Sequence, residues 1–448
     1  MRLELLTAFP IVELELNQFP ARQLARCKGT AMAHNSDIRD RLTISREEYA
    51  DRRKQLASNL NGATAVIFAG KGGGLHDDFQ PDLNFQYLTG IIDEPGAILL
   101  LNPNDPNPSR KEVLFLEPHL PELERWDGWR GPIDAKLREK HGFKALMRTS
   151  AFPQMLLNAC KSSLKGTCLH PIAHHEQPVG PDLEVFQKLQ QRIPGFQIDD
   201  GSRLIPSQRA VKSAAEKAMI ERSAEITAKG FTAILEKLTP GITEFDIQEA
   251  AEHAYRSHGS RGPFYGSIVG SGFNATILHY RSNDAVIADG DLVVIDSGAR
   301  YGDGPCGYGS DVTRTYPANG RFTERQKEVY SIVLESMETT IAAVKPGIAY
   351  AELDSISRKI ITDAGFGDFY PHGVGHPIGL EVHDVQPDTV VPEGAIITIE
   401  PGIYLPDENM GIRIEDDILV TAAGPVNLTG NIPKTIEEIE SAMANKTS

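Results

Sequence analysis

Five short pieces of the chain set acidic residues or histidines in or beside apolar, β-branched runs: Asp296-Ser-Gly-Ala, Ser310-Asp311-Val-Thr-Arg, His372-Gly-Val-Gly-His376, Thr398-Ile-Glu400-Pro-Gly and Arg413-Ile-Glu415-Asp-Asp. A lone carboxylate in a sheet interior loses its hydration without compensation and would protonate or unfold its surroundings. Several such groups converging on one place call for cations that neutralise them. The pattern is that of a two-metal hydrolase.

Strand periodicity says how these groups can converge. Asp296 ends the β-branched run Leu292-Val-Val-Ile295, and alternation puts Asp311, Thr313 and Thr315 on one face of the next run. Arg413 and Glu415, with Asp417 next along, face one way while Ile412 and Ile414 face the other. Taken singly, an acidic strand residue is most often solvated. Five charged pieces in aliphatic strands are another matter. His372 and His376 have helical i, i+4 spacing, but Gly373, Gly375 and Pro377 oppose a helix and no Glu lies between them. The glycines suit a tight turn that brings His376 to a metal and leaves His372 and His383 near a substrate. Asp296, Asp311, His376, Glu400 and Glu415 form a hard, oxygen-rich set that suits two Mn2+ ions, with Co2+ or Zn2+ able to substitute. Two such ions about 3.5–4 Å apart would make a bridging hydroxide near neutral pH, with Glu415 bridging and Glu400 as general base.

Composition bounds the partners. A formal net charge of −16 over 448 residues repels phosphates, which argues against nucleic acid and anionic membranes. No apolar run approaches the roughly 20 residues of a membrane span. The stretch Leu5 to Val12 is flanked by Glu4, Glu13 and Glu15 and does not read as a signal peptide. Cys27, Cys160, Cys168 and Cys306 form no CxxC pair and read as reduced thiols of a cytoplasmic protein.

The elements that must position the site follow in chain order. Residues 1–42 lack sustained periodicity and read as a dispensable extension, with the ordered core starting near Thr43. A first domain, 43–200, opens with a helix capped at Ser45 and continues with strands at Thr64–Phe68, Phe85–Leu88, Gly96–Leu101 and Glu112–Phe115. Helices are predicted at 132–140, 152–159 and 182–192. Lys71-Gly-Gly-Gly74 lacks the ending of a phosphate loop and reads as an ordinary loop. Asp199-Asp-Gly-Ser202 reads as a boundary. A second domain, 205–440, begins with one long helix, Ala210–Leu238, and another at Glu244–His258. Strands with glycine-rich turns follow to Thr421, interrupted by helices near Glu324–Val344 and Tyr350–Ala364. The fold class is α+β, with a mixed α/β amino-terminal domain.

The motifs together resemble a known family. Gly272-Phe-Asn274 to His279-Tyr280, Asp296-Ser-Gly298, Asp311-Val-Thr-Arg-Thr, His372 to His376 to His383-Asp384, Glu400-Pro-Gly and Arg413-Ile-Glu415-Asp-Asp are similar to the pita-bread metallopeptidases. These comprise methionine aminopeptidase, prolidase and Xaa-Pro aminopeptidase (aminopeptidase P). Tyr49 to Arg52-Arg53, Ala65-Val-Ile-Phe-Ala-Gly70, Tyr87-Leu-Thr-Gly90, Glu94-Pro95 and Glu124 to Trp126 to Gly128-Trp-Arg130 resemble the amino-terminal domain of the aminopeptidase P type. Methionine aminopeptidases lack that domain and prolidases have a related one.

The resemblance implies metal ligation by Asp296, Asp311, His376, Glu400 and Glu415, and stabilisation of the intermediate by His279 and His383. It places His372 beside a proline pocket and gives Tyr404 and Arg413 to the shell that orients ligands and substrate. The implied activity is hydrolysis of the amino-terminal Xaa-Pro bond of peptides. The alternatives are a prolidase acting on Xaa-Pro dipeptides and a non-catalytic binding protein on the same fold. Expected partners are proline-containing peptides and further copies of the chain, as a dimer or tetramer. Two departures stand out: fourteen residues separate Asp296 from Asp311 against the ten usual in the family, and Gln86 replaces a common aromatic. The added loop, Gly302–Gly309, is where specificity is expected to differ.

Overall fold

In the computed structural model the described residues are 42–72, 79–118, 122, 131–172, 174–302 and 306–445. The 1–42 extension, apart from Leu42, lies outside them, as do Glu124 to Arg130 and the tip of the 302–309 loop.

Helix α1 (Arg46–Asn59) begins as its residues dictate, with the Ser45 hydroxyl accepting the Glu48 N–H at 3.1 Å. It is followed by β1 (Thr64–Phe68), α2 (Leu83–Thr89), β2 (Ile98–Leu101), β3 (Glu112–Leu116), α3 (Ala135–His141) and β4 (Ala145–Arg148). Then come α4 (Phe152–Ser163), β5 (Lys165–Cys168), α5 (Pro181–Gln190) and β6 (Gln197–Asp200). The strands form one mixed sheet in the order β4-β3-β2-β1-β5-β6. Alternate residues feed opposite faces: Val66, Leu100, Val113 and Phe115 pack with Phe152 and Phe186. Ala65, Ile67, Leu99 and Leu114 join a core that continues into the second half of the chain. The sheet is thus buried on both sides.

The predicted strand Phe85–Leu88 is instead helix α2. Asp82 accepts the Phe85 N–H at 2.9 Å, and Gly90, left-handed at φ 67°, closes the helix. Residues Phe85 to Thr89, Gln86 among them, are all buried, so the run shows neither period of an amphipathic element and its length does not decide the matter. The predicted helix Ala210–Leu238 starts later than expected and runs unbroken to Lys237. Helix α6 (Leu204–Arg209) stops, the chain turns, and α7 (Ala214–Lys237) restarts behind Ser213 and Glu216, which bond reciprocally in a capping box. The turn delivers Lys212 and the end of α6 to the catalytic half. Asp199 and Asp200, at the start of the expected boundary stretch, pair with β5 as the end of β6.

Helix α7 lies along α8 (Glu244–Ser257). Strands β7 (Ile268–Ser271), β8 (Leu292–Asp296), β9 (Arg300–Tyr301), β10 (Tyr308–Gly309) and β11 (Thr313–Pro317) follow, then α9 (Glu324–Ala343) and α10 (Tyr350–Asp363). The chain ends with β12 (Ile396–Ile399), β13 (Gly402–Leu405), β14 (Met410–Arg413), β15 (Asp416–Thr421), β16 (Gly424–Asn427) and α11 (Ile436–Ala444). Antiparallel groups β11-β8-β7 and β12-β15-β16 meet where Asp296, Glu400 and Glu415 sit at strand ends. Fold class and architecture are the expected α+β pita-bread type.

The arms of the inserted loop are β9 and β10. Fully buried Tyr308 donates its hydroxyl to Glu216 at 2.7 Å, and Arg52 of α1 lies 3.3 Å from the same carboxylate. Gly309 N–H donates to the Gly379 carbonyl at 3.3 Å. The arms therefore tie the insertion to the first helix and to the segment carrying His376 and His383.

Candidate active site

Asp296 ends β8 directly opposite Thr313. Asp311 precedes β11 by two residues, so the expected strand starts later than its alternation suggested. Its place is set by its own N–H and by the Ser310 hydroxyl, which reach Asp417 at 3.2 and 2.8 Å. Tyr265 bridges the two acids: its hydroxyl lies 2.5 Å from Asp296 Oδ1 and also in hydrogen-bond contact with Asp311 Oδ1.

His376 is positioned by the Thr398 hydroxyl, which accepts its backbone N–H at 3.0 Å. Its Nδ1 lies 3.1 Å from the Pro377 carbonyl, an acceptor only, so Nδ1 carries the proton and Nε2 offers a lone pair. That Nε2 is 3.3 Å from Glu400 Oε1 and 3.6 Å from Asp311 Oδ2. Glu415, 1% exposed, accepts from the Thr313 hydroxyl at 2.7 Å. Arg314, fully buried, donates to the Glu415 carbonyl at 2.6 Å and to Asp416 at 2.6 Å. This fixes the backbone from which Glu415 projects.

The electrostatics are those of a site built for cations. Burial, then the charges of Asp311, Glu400 and Asp296, push the Glu415 carboxyl well above its usual range. Burial and then Asp296 do the same to Asp311, and burial raises Glu400 despite His376 and Arg413. Arg413 brings one positive charge, 2.7 Å from Asp296, against four carboxyl groups. Ligand atoms of Asp311, His376 and Glu415 all lie within 4.8 Å of one another. Crowded oxygen donors with excess negative charge and one free imidazole lone pair fit divalent metal ions.

Around this cluster stand the remaining predicted residues. His383 stacks 4.0 Å from His376 between ring centroids, and burial, with His376 and His279 nearby, lowers its pKa. His279 is itself exposed. Arg413 donates to Tyr404 at 3.0 Å, and Tyr404 lies 2.8 Å from His372 Nε2. His372 Nδ1 meets the Gly373 carbonyl at 2.9 Å, so both ring nitrogens are taken by protein. Burial pushes this imidazole down to about 4, and the neutral ring is left as a wall between Tyr370 and Tyr404. Sequence reasoning missed Tyr265, Thr398 and the supporting bonds of Arg314. Arg314 and Thr398 stood inside noted pieces, Tyr265 in none, and their contacts are made across the fold.

The fold and this cluster of acids define a metal-dependent peptidase. Residues 218–422 match the model of metallopeptidase family M24, and residues 49–167 match the aminopeptidase P amino-terminal domain. An Escherichia coli Xaa-Pro aminopeptidase is 34% identical over 440 residues, covering 89% of this chain and 98% of that protein. The solved structure of zinc-substituted E. coli aminopeptidase P in complex with product has a TM-score of 0.79 and 32% identity, covering 90% of this chain and 99% of that one. A Pyrococcus horikoshii Xaa-Pro dipeptidase is 41% identical over 237 residues, covering 52% of this chain and 65% of that protein. The chain belongs to the aminopeptidase P family of M24 metallopeptidases.

Proposed function

We propose that the protein is a dinuclear-metal Xaa-Pro aminopeptidase that releases the first residue of peptides with proline second. The observation that carries the reading is the cluster of Asp311, His376 and Glu415, with Glu400 against His376 and Asp296 linked to Asp311 through Tyr265, in a chain that also has an amino-terminal domain of the aminopeptidase P type. Asp296, Asp311, His376, Glu400 and Glu415 would hold the ions, with Mn2+ the best match to so oxygen-rich a set. When bound, the metals supply Lewis-acid polarisation of the scissile carbonyl and lower the pKa of water. Glu400, beside His376 at the edge of the cluster, would take the proton of the attacking water and return it to the leaving nitrogen. His279 and His383 donate to the oxygen that gains charge on the substrate carbonyl. His372, with both nitrogens engaged, offers its ring to the proline. Free thiols at Cys160, Cys168 and Cys306 support a reducing, cytoplasmic setting. Among the described residues no helix is long and apolar enough to cross a membrane. Residues 43–200 serve as the amino-terminal domain, 205–440 as the catalytic domain, and the working form is a homo-oligomer.

The higher identity to a dipeptidase over about half of the chain favours prolidase as the second reading. Hydrolysis of an Xaa-Pro dipeptide and an Xaa-Pro-Pro tripeptide in Mn2+ separates the two. Cleavage of the tripeptide is expected, and cleavage of the dipeptide alone would replace the first reading with the second. For His383→Ala, metal content should stay at the native level while kcat falls about 10²–10³-fold, the usual weight of one donor to a developing oxyanion. Measured metal loss in that variant would make His383 a ligand instead.

A further inference from the structure

Glu244 is the first residue of α8 and is fully buried. Its carboxylate collects donors from both ends of one surface segment. Oε1 accepts the Ser271 N–H at 2.7 Å, the Ser271 hydroxyl at 2.7 Å and the Asn274 amide at 3.2 Å. Oε2 accepts the Ala285 N–H at 3.1 Å, and the Glu244 N–H returns a 2.9 Å bond to the Ala285 carbonyl. The segment 271–285, held at both ends by this side chain and near its far end also by the Asn283 amide on Val269 and Ser267, carries His279 near its middle. Ala275 and Asn283 are buried, whereas Phe273, Ile277 and His279 are exposed.

Position is what a donor to a developing charge needs most, since a misplacement of about 1 Å can cost roughly 10²-fold in rate. An apolar clasp would not serve here, because the backbone N–H groups at the segment's two ends would stay unpaired. A carboxylate has two oxygens and accepts only, so it satisfies both ends at once. We infer that Glu244 is a positioning residue that acts through His279, fixing the segment 271–285 so that the imidazole meets the substrate carbonyl. The inference rests on the role given to His279 above.

Glu244→Gln replaces one acceptor oxygen by an N–H2 group, which faces N–H donors at one end of the segment and releases that end. With a proline-containing tripeptide and saturating Mn2+, kcat should fall about 10–100-fold, the range typical of a residue that supports a ligand or donor from behind. Metal content should not change. The same substitution made in His279→Ala should cost less than about twofold, since the donor it positions is gone. Equal losses in both backgrounds, or no loss in either, would overturn the inference while leaving the peptidase reading intact. Full turnover by His279→Ala itself would remove both the role of His279 and that of Glu244. If Glu244→Gln does not fold, Asn274→Ala, which removes one donor only, goes through the same cycle. A smaller loss that vanishes beside His279→Ala is expected, and additive losses would again be decisive against it.

Discussion

Glu415→Ala should lose turnover by at least about 10³-fold, beyond the roughly 10²–10³-fold carried by a single stabilising donor, and should lose bound metal with it. Glu415 is almost wholly enclosed, and its carboxyl lies among Asp311, Glu400 and Asp296 with Thr313 as its hydrogen-bond donor. Removing it takes away a ligand, and the hydroxyl of Thr313 loses its acceptor. The fold itself should survive, because the Glu415 backbone is held independently through Arg314 and Asp416, a pair with both side chains fully buried. Metal analysis after Mn2+ reconstitution and a tripeptide assay check the two halves of this result. A variant that kept both metal and turnover would show that Glu415 is not a ligand.

The affinity for Mn2+ should rise steeply with pH, by about tenfold per unit for each proton displaced. The sign follows from the direction of the shifts. Burial and mutual repulsion raise the carboxyls of Asp311, Glu415 and Glu400 above their usual range. In the metal-free protein these groups therefore hold protons at pH values where ordinary carboxylates are ionised. A metal must displace those protons, so binding weakens as pH falls from neutrality towards the usual carboxylate range near 4. Over the range in which a raised carboxyl still holds its proton, each displaced proton amounts to about tenfold per pH unit. Titration calorimetry in two buffers of different ionisation enthalpy counts the protons released. Glu415→Gln, whose amide does not titrate, should flatten the slope. An affinity that stays constant from neutrality down to the usual carboxylate range near 4 would mean that the carboxyls are not raised and that the site is not organised as described.

Much of this was legible in the amino-acid order because charge in an apolar strand is costly wherever the strand lies. Asp296, Asp311, Glu400 and Glu415 each adjoin aliphatic runs, and the structure brings them together with His376. The glycines around His376 excluded a helix there, and none formed. Local signals failed where a segment is buried on all sides. Phe85–Leu88 reads as a strand because three apolar or aromatic residues around Gln86 are too few to show a helical period, whereas the caps at Asp82 and Gly90 decide for a helix. Ser213 and Glu216 formed a capping box inside what composition alone extends as one helix.

The sequence by itself determined which groups are available for metal chemistry, the class of fold and most of its elements, since propensity, periodicity and charge burial are local quantities. Only the tertiary structure decided what holds those groups in place. Tyr265 meets Asp296 and Asp311 from 31 and 46 residues away, and Arg314 meets Asp416 across 102. Glu244 gathers donors from 27 to 41 residues further on. Such contacts depend on how strands and helices pack, and no spacing along the chain announces them.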